Sequence, residues 1–341
     1  AFAKAGVAAP ALFEAVAAEA PKKIATFKPQ ELGNTVWAYS KMGIEAPALF
    51  DAVAAESSKK MATFAPQALA NTVWSFAKLG FEAPLLFQGV AAQAAKKIAM
   101  FKPQELVNTV WAYSTMGVEA PLLFEAVAAE ATKKMALFNS QDLASTLWSY
   151  SVAGVLGPLL FEAVALRIEE YMQEFSFRDF SQLHQVSMHL RLEAPQHPLT
   201  LLLCRHEVAL RLAYTREAPR PSQAVRDVSD ALARIGWKHV FDHASAGGLR
   251  VHVAQPSSKV AVEFVGPAQY LKGPSADVAT RKLDGPSMFK ERLLRSAGWR
   301  VLRVPYFDWM RRGGDEREEY LRGKIEGLGV DLPSRPEPYD S

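Results

Sequence analysis

A 15-residue stretch in the first half of the chain decides its fold: Phe64-Ala65-Pro66-Gln67-Ala68-Leu69-Ala70-Asn71-Thr72-Val73-Trp74-Ser75-Phe76-Ala77-Lys78. Its tryptophan belongs to a row spaced 37 residues apart, Trp37, Trp74, Trp111 and Trp148. Three other residue types keep this interval: Gly6, Gly43, Gly80, Gly117 and Gly154, then Pro10, Pro47, Pro84, Pro121 and Pro158, then Phe13, Phe50, Phe87, Phe124 and Phe161. A period of this length is typical of stacked units that cannot bury their apolar faces alone. The sequence therefore predicts an α-solenoid of 37-residue helix-turn-helix repeats.

Each repeat is predicted to hold two helices. Helix A begins near Pro29 and its equivalents, because proline suits the first turn of a helix, and ends before Gly43. Helix B begins at Pro47 and its equivalents and continues through an alanine-rich stretch to a pair of lysines. The predicted repeat is therefore a helical hairpin.

Helix A is expected to be buried on two sides. At 100° per residue, Leu32, Val36 and Tyr39 form one apolar stripe, and Trp37 lies about 140° from Leu32. We therefore expect the tryptophans to pack in the core rather than to stack on bases.

The remaining face of helix A is predicted to line an open groove. It carries three rows of residues: Asn34, Asn71, Asn108 and Ser145; Ala38, Ser75, Ala112 and Ser149; and Lys41, Lys78, Thr115 and Val152. Such side chains could contact the bases of an RNA one after another, as in other helical-repeat RNA-binding proteins. Alternatively, the asparagines bond neighbouring helices and satisfy backbone groups. Both interpretations stay open from the sequence.

Lysine pairs recur at the end of helix B: Lys22 and Lys23, Lys59 and Lys60, Lys96 and Lys97, and Lys133 and Lys134. Cations there suit the negative end of the helix dipole. The same lysines are candidates for phosphate contacts, which would make RNA affinity depend on salt. Residues 1–175 carry 14 Lys and Arg against 16 Asp and Glu, so any phosphate binding by the repeats requires local clustering of charge.

The repeat pattern predicts where the domains begin and end. The repeats span residues 1–175, with a truncated first repeat, because Phe2 to Gly6 match Phe76 to Gly80 in the middle of a repeat. The pattern then decays into capping helices at 176–214, a linker at 215–222, an α/β domain at 223–328 and a tail at 329–341. We expect further repeats before the first residue, so a targeting segment is not visible.

The repeats resemble the heptatricopeptide repeat, the organellar RNA-binding relative of octotricopeptide repeats, through the stretch at 64–78 quoted above. The resemblance covers about half of the chain. It implies an α-solenoid that binds single-stranded RNA, either messenger or ribosomal, in a mitochondrion or plastid. It also implies RNA-processing or ribosomal proteins as further partners. A protein-interaction scaffold is the main rival, since α-solenoids also bind peptides.

The C-terminal region alternates helices and short strands, as in a small α/β domain. Its strand at 260–265, followed by Gly266-Pro267, and its later segments 289–294 and 298–301 resemble the RAP domain. That domain commonly follows such repeats and is similar to the PD-(D/E)xK endonuclease fold. The similarity implies a comparison with nuclease sites, in which clustered carboxylates hold a divalent metal.

Few of the residues needed for nuclease activity are present. Glu263 matches the second acid of the pattern, but His252 and Val265 stand where the family usually has aspartates, and Gln269 stands where it has a histidine. We therefore expect no metal, no cofactor and no catalysis, and a metal-dependent RNA nuclease acting through the RAP domain stays the second rival to RNA binding. Glu263, with Lys290, Arg292 and Arg295, remains a candidate for a phosphate-binding pocket.

The rest of the composition limits the other classes of function. A single cysteine, Cys204, excludes internal disulfides and cysteine-based zinc sites. The longest apolar runs are far shorter than the roughly 20 residues that cross a bilayer, so no membrane partner is expected.

Overall fold

The chain is described here by a computed structural model that covers residues 2–217, 220–245, 247–273 and 277–333. Two compact units make up the chain: Ala1–Tyr214 with Tyr270–Phe289, and Thr215–Gln269 with Lys290–Ser341. Within the described ranges, every helix is too short or too polar to cross a membrane.

The first unit is a stack of helical hairpins. After helix α1 (Phe2–Ala5), B and A helices alternate: α2 (Pro10–Lys23), α3 (Pro29–Met42), α4 (Pro47–Lys60), α5 (Pro66–Leu79), α6 (Pro84–Lys97), α7 (Pro103–Met116), α8 (Pro121–Lys133), α9 (Ser140–Ala153) and α10 (Pro158–Ile168). The stack ends in α11 (Phe177–Glu193), α12 (Pro198–Arg205) and α13 (Glu207–Glu217). The predicted solenoid and its hairpins are confirmed.

A short turn joins each A helix to its B helix. Gly43, Gly80, Gly117 and Gly154 adopt the left-handed conformation, with φ between 60° and 73°. This conformation is costly for residues with a Cβ atom, so the repeated glycine ends each A helix at the same place. Proline then starts the B helix, because its missing N–H is not needed in the first turn.

The A helices pack on one another and on the preceding B helices. Tyr39, Tyr113 and Tyr150 are buried, and each hydroxyl donates to a carbonyl of the preceding B helix, at 2.5–2.6 Å. Phe76 takes the place of this tyrosine in α5 and packs edge-to-face on Phe50, with ring centroids 4.9 Å apart. Successive hairpins therefore share one core.

The second lysine of each pair joins neighbouring repeats. The ammonium groups of Lys60, Lys97 and Lys134 donate to two carbonyls of the preceding repeat, at 2.6–2.8 Å. For Lys97 the acceptors are Ala62 and Phe64, in the turn between α4 and α5. These turns end in carbonyl groups without helical partners, and a cation satisfies two of them at once. The lysine therefore links one repeat to the next.

Residues 270–289 also belong to the repeat unit, apart from 274–276, which lie outside the described residues. The backbone of Lys272 donates to the Gly80 carbonyl at 2.7 Å and accepts from Glu82 at 2.9 Å. Gly285 lies so close to α7 that a Cβ atom there would come within 1.7 Å of the Ser114 carbonyl oxygen. This segment lies within the domain predicted at 223–328, although its contacts group it with the repeat unit. The backbone contacts that hold it leave no periodic signal in the sequence.

The second unit is a small mixed sheet with helices. Its strands β1 (Val240–Ala244), β2 (Arg250–Gln255), β3 (Val260–Val265) and β4 (Arg300–Pro305) lie in sequence order. The first two pairings are antiparallel, and β3 pairs with β4 in parallel. The helices are α14 (Gln223–Arg234), the end of α15 (Gly285–Ser296), α16 (Tyr306–Met310) and α17 (Gly314–Glu326). The predicted α/β domain is confirmed.

The unit has a core of its own. It contains buried aliphatic and tryptophan side chains from helices and sheet, including Val228, Leu232, Trp237, Val262, Val304 and Trp309. Helix α13 extends to Glu217, so the predicted linker at 215–222 is helical at its start. Residues 218–219 of that linker and 334–341 of the predicted tail lie outside the described residues.

Replacing Lys97 by Met should lower the free energy of unfolding by about 1–2 kcal/mol, because two carbonyls lose a charged donor at a partly exposed site. Thermal and urea unfolding measure the loss. The matched control is Lys96→Met, since Lys96 is the exposed member of the same pair. Equal stability of the two variants would contradict the role of Lys97.

Candidate functional site

A narrow stripe of each A helix remains open in the first repeats. On α5 it consists of Gln67, Asn71, Trp74 and Lys78, which fall within about 60° on a helical wheel. None of these residues is buried. The equivalents in α3 and α7 are also not buried: Gln30, Asn34, Trp37 and Lys41, and Gln104, Asn108, Trp111 and Thr115. We call these twelve residues the A-helix stripe.

The asparagines of the stripe are open to solvent. Asn34 is exposed, and Asn71 and Asn108 are half-buried. In the part of the chain that the structure describes, no protein atom hydrogen-bonds to their side-chain amides and none of the amide atoms is fully buried. The described residues therefore do not show the asparagine ladder that would bond neighbouring helices. Three amides are available to a ligand.

In the row that begins at Ala38, the prediction of a groove position is wrong for Ser75, Ala112 and Ser149, whereas Ala38 lines an open cleft beside Asn34. Ser75, Ala112 and Ser149 are buried, and Ala38 is half-buried. The Ser75 carbonyl accepts a hydrogen bond from the Ser40 hydroxyl at 2.9 Å. This position lies on the opposite side of the asparagine from the tryptophan, where the preceding A helix packs. In α5, α7 and α9 it joins helices and is not available to a ligand.

The stripe closes at α9. Ser145, Trp148 and Val152, which occupy the stripe positions there, are buried. The Ser145 hydroxyl donates to the Gln182 side chain at 3.4 Å, and the Trp148 indole N–H donates to the Gln185 side chain at 3.2 Å. Helix α11 thus covers this part of α9, and the prediction that Ser145 lines an open groove is wrong.

Three tryptophans reach the surface, although they were predicted to pack in the core. Trp37, Trp74 and Trp111 are half-buried, and the rings of Trp74 and Trp111 lie 6.3 Å apart at 37°. The expected burial on two sides was therefore wrong for these three. On a helical wheel, Trp37 lies about 60° from Asn34, and this angle correctly places it beside the open face. The angle between Trp37 and Leu32 does not reveal this position. The glutamine row has the same 37-residue interval and was also missed.

The lysine pairs divide into two roles. Because Lys60, Lys97 and Lys134 bond carbonyls of the preceding repeat, the prediction that they contact phosphate is wrong for these three. The first lysines, Lys22, Lys59, Lys96 and Lys133, are exposed, as is Lys23. Hydrogen bonds from Lys60 and Lys59 lower the pKa of Glu56, which is nearly buried beneath them. Phosphate contact by the exposed lysines stays a prediction.

In the second unit, Glu263 forms a buried ion pair. Its carboxylate lies 2.7 Å from the Lys290 ammonium and 3.0 Å from the His252 ring, and it accepts the His252 backbone N–H at 3.2 Å. Burial alone would raise the pKa of Glu263, but the charge of Lys290 and the hydrogen bond from His252 outweigh it and lower the pKa to about 2. Glu263 therefore stays ionised and paired.

Of the other pocket candidates, Arg295 pairs away from Glu263. Arg295 pairs with Glu291 at 2.8 Å, and Arg303 pairs with the same carboxylate. Arg292 lies half-buried on the same helix. The Lys290 charge is already balanced by Glu263, which weakens it as a phosphate ligand. Within the described ranges there is no cluster of three or more His, Cys, Asp and Glu side chains suited to a metal ion.

Two protein-family models match the chain. The model described as the RNA-editing substrate-binding complex 6 protein matches residues 1–244 of the 341. The chain belongs to this family. The model of the RAP domain matches residues 262–324 of the chain. This match confirms the predicted order of helical repeats followed by a RAP domain. Both matches give the chain an RNA-binding role in RNA metabolism.

The low pKa of Glu263 predicts the effect of pH on the second unit. Because the pKa is lower in the folded state, ionised Glu263 stabilises the fold above about pH 4.5, and this contribution is lost as the pH falls toward 2. Urea unfolding between pH 6 and pH 3 should show the loss, and Glu263→Gln should be less stable at pH 6 and less sensitive to pH. The matched control is Glu291→Gln, because Glu291 on α15 pairs with Arg295 and Arg303, whose side chains are more exposed than that of Lys290. Identical pH profiles for wild type and Glu263→Gln would contradict this assignment.

Proposed function

We propose that the chain binds single-stranded RNA along the A-helix stripe and does not cleave it. The observation that carries this proposal is the row of Asn34, Asn71 and Asn108, whose amides recur at one repeat interval with no hydrogen-bond partner in the described residues. A side-chain amide offers both donors and an acceptor, as the edges of bases require. With one base per repeat, the three open helices contact about three nucleotides.

The positive charges on the stripe also support RNA binding there. Lys41 and Lys78 are exposed and lie about two turns beyond the asparagine of their own helix. Lysine at this distance can contact a phosphate while the amide contacts the base. The repeats have a slightly negative net charge, so these local cations provide the attraction.

The absence of catalysis is part of the proposal. Glu263 is the one acid that matches the nuclease pattern, and both of its oxygens are engaged by His252 and Lys290. Hard divalent ions prefer several oxygen ligands. Incubation of labelled RNA with the protein and Mg²⁺ or Mn²⁺ tests this, and cleavage that is lost in Glu263→Gln would contradict it.

The location in a mitochondrion or plastid is proposed from the heptatricopeptide resemblance alone. A fluorescent fusion of the full gene product, observed beside organelle markers, tests it. A signal outside both organelles would contradict it.

A second surface favours protein binding. Leu85, Leu122 and Leu159, at the same position of three successive B helices, are each about three-quarters exposed. Leu122 also lines a cleft of about 680 Å³ between α6 and α8, together with Glu82, Glu119 and Lys282. Exposed apolar surface of this kind marks interaction sites. Because the family is described as part of a complex, we propose that a protein with apolar side chains binds here.

The two surfaces can be separated by mutation. Leu85→Ser, Leu122→Ser and Leu159→Ser together should leave RNA affinity unchanged but release a protein that copurifies with the wild type after ribonuclease treatment. Quantitative mass spectrometry measures the release. Retention of that protein by the triple variant would contradict the assignment.

Replacing Lys41 and Lys78 by Met should weaken RNA binding and reduce its dependence on salt by about 0.7 per lysine in the slope of log K against log salt. Fluorescence anisotropy with a single-stranded RNA measures both. The matched control is Lys59→Met with Lys96→Met, which removes the same charge from the ends of B helices. A larger effect of the control pair would contradict phosphate contact by Lys41 and Lys78 and would indicate that the B-helix lysines contact the phosphates.

A further inference from the structure

We propose that Trp37, Trp74 and Trp111 form a stacking platform on which bases of the bound RNA lie, one base against each indole. The proposal rests on the proposed function and deepens it. It assigns the base-stacking surface to residues whose periodicity otherwise indicates only packing.

The three indoles are only partly buried. Each is half-buried, so one part is held by its helix and its neighbours while the remainder faces solvent. Trp74 and Trp111 are 6.3 Å apart with their planes tilted by 37°, so they do not cover each other face to face. Part of an aromatic ring is thus kept open to solvent in successive repeats, and a bound base could cover it.

Polar and charged side chains flank the indoles along the same helix. In α5, Asn71 lies one turn before Trp74 and Lys78 lies one turn after it. A nucleotide presents a flat face, a polar edge and a phosphate, and this stretch of helix provides an aromatic ring, an amide and an ammonium for them. An apolar peptide on the same surface would leave the amides without partners, which costs free energy. The surface is therefore suited to a nucleotide.

The type of nucleic acid follows from the same geometry. Bases in a duplex are stacked on each other and cannot offer their faces to an indole, whereas bases of a single strand can. Stacking tolerates any base, so the platform provides affinity while the asparagines provide selectivity.

The end of the row provides an internal comparison. Trp148 has the same position in α9 but is buried, and its N–H donates to Gln185, which stands where the next tryptophan would fall. The platform therefore includes three of the four repeated tryptophans.

The test compares two single-stranded RNAs of equal length and equal phosphate count, one natural and one with abasic sites in place of its central bases. The wild-type chain should bind the natural RNA on the order of 100-fold more tightly, since each of three stacked bases contributes about 5-fold or more. Trp74→Leu and Trp111→Leu, which keep apolar packing without a ring, should each reduce this preference about 5-fold. Trp74→Tyr should retain most of it.

Trp148→Leu is the matched control, and it should change stability but not the preference for natural RNA. Circular dichroism and thermal unfolding establish that each variant is folded. Equal binding of the two RNAs by the wild type would overturn the stacking proposal and leave phosphate-based RNA binding intact. A full preference retained by folded Trp74→Leu and Trp111→Leu would also overturn it. Binding of neither RNA would overturn the proposed function itself.

Discussion

A pair of helices cannot bury its own apolar face, and every repeat of this chain meets that limit by packing on its neighbours. The tyrosine hydroxyls of the A helices bond carbonyls of the preceding B helices, and Lys60, Lys97 and Lys134 bond carbonyls of the preceding turn. Because these contacts repeat every 37 residues, each hairpin has the same orientation relative to the next. The regular surface of the A helices is a consequence of this packing.

Burial of most of each A helix determines which side chains remain for a ligand. Position 75 and its equivalents are used by the neighbouring helix, and the lysine that ends each B helix is used by the neighbouring turn. Glutamine, asparagine, tryptophan and lysine are left on one stripe, and α11 covers that stripe at α9. The functional surface is therefore short and chemically uniform, which suits repeated contacts with a polymer of nucleotides.

The second unit holds a buried carboxylate whose charge is balanced. Lys290 from α15 and His252 from β2 hold Glu263 in an ion pair. Removing one partner of this pair would leave the other charge buried without compensation, which is strongly destabilising. We expect this pair to contribute to the stability of the unit. The RNA-binding role of the chain rests on the family matches.

The sequence by itself determined the hairpins, their 37-residue interval and their first and last residues, because periodicity, proline and glycine act locally. The RAP domain was recognised through the resemblance of its segments at 260–267, 289–294 and 298–301. The sequence predicted an open face on helix A but left open whether Asn34, Asn71 and Asn108 face a groove or bond neighbouring helices, and the structure decided for the open face. Only the tertiary structure decided that Ser75 is buried, that Lys97 bonds a neighbouring repeat and that Trp74 is half-open. Those outcomes depend on which face of a helix meets its neighbour, and a repeat's own sequence does not specify that face until the repeats are stacked.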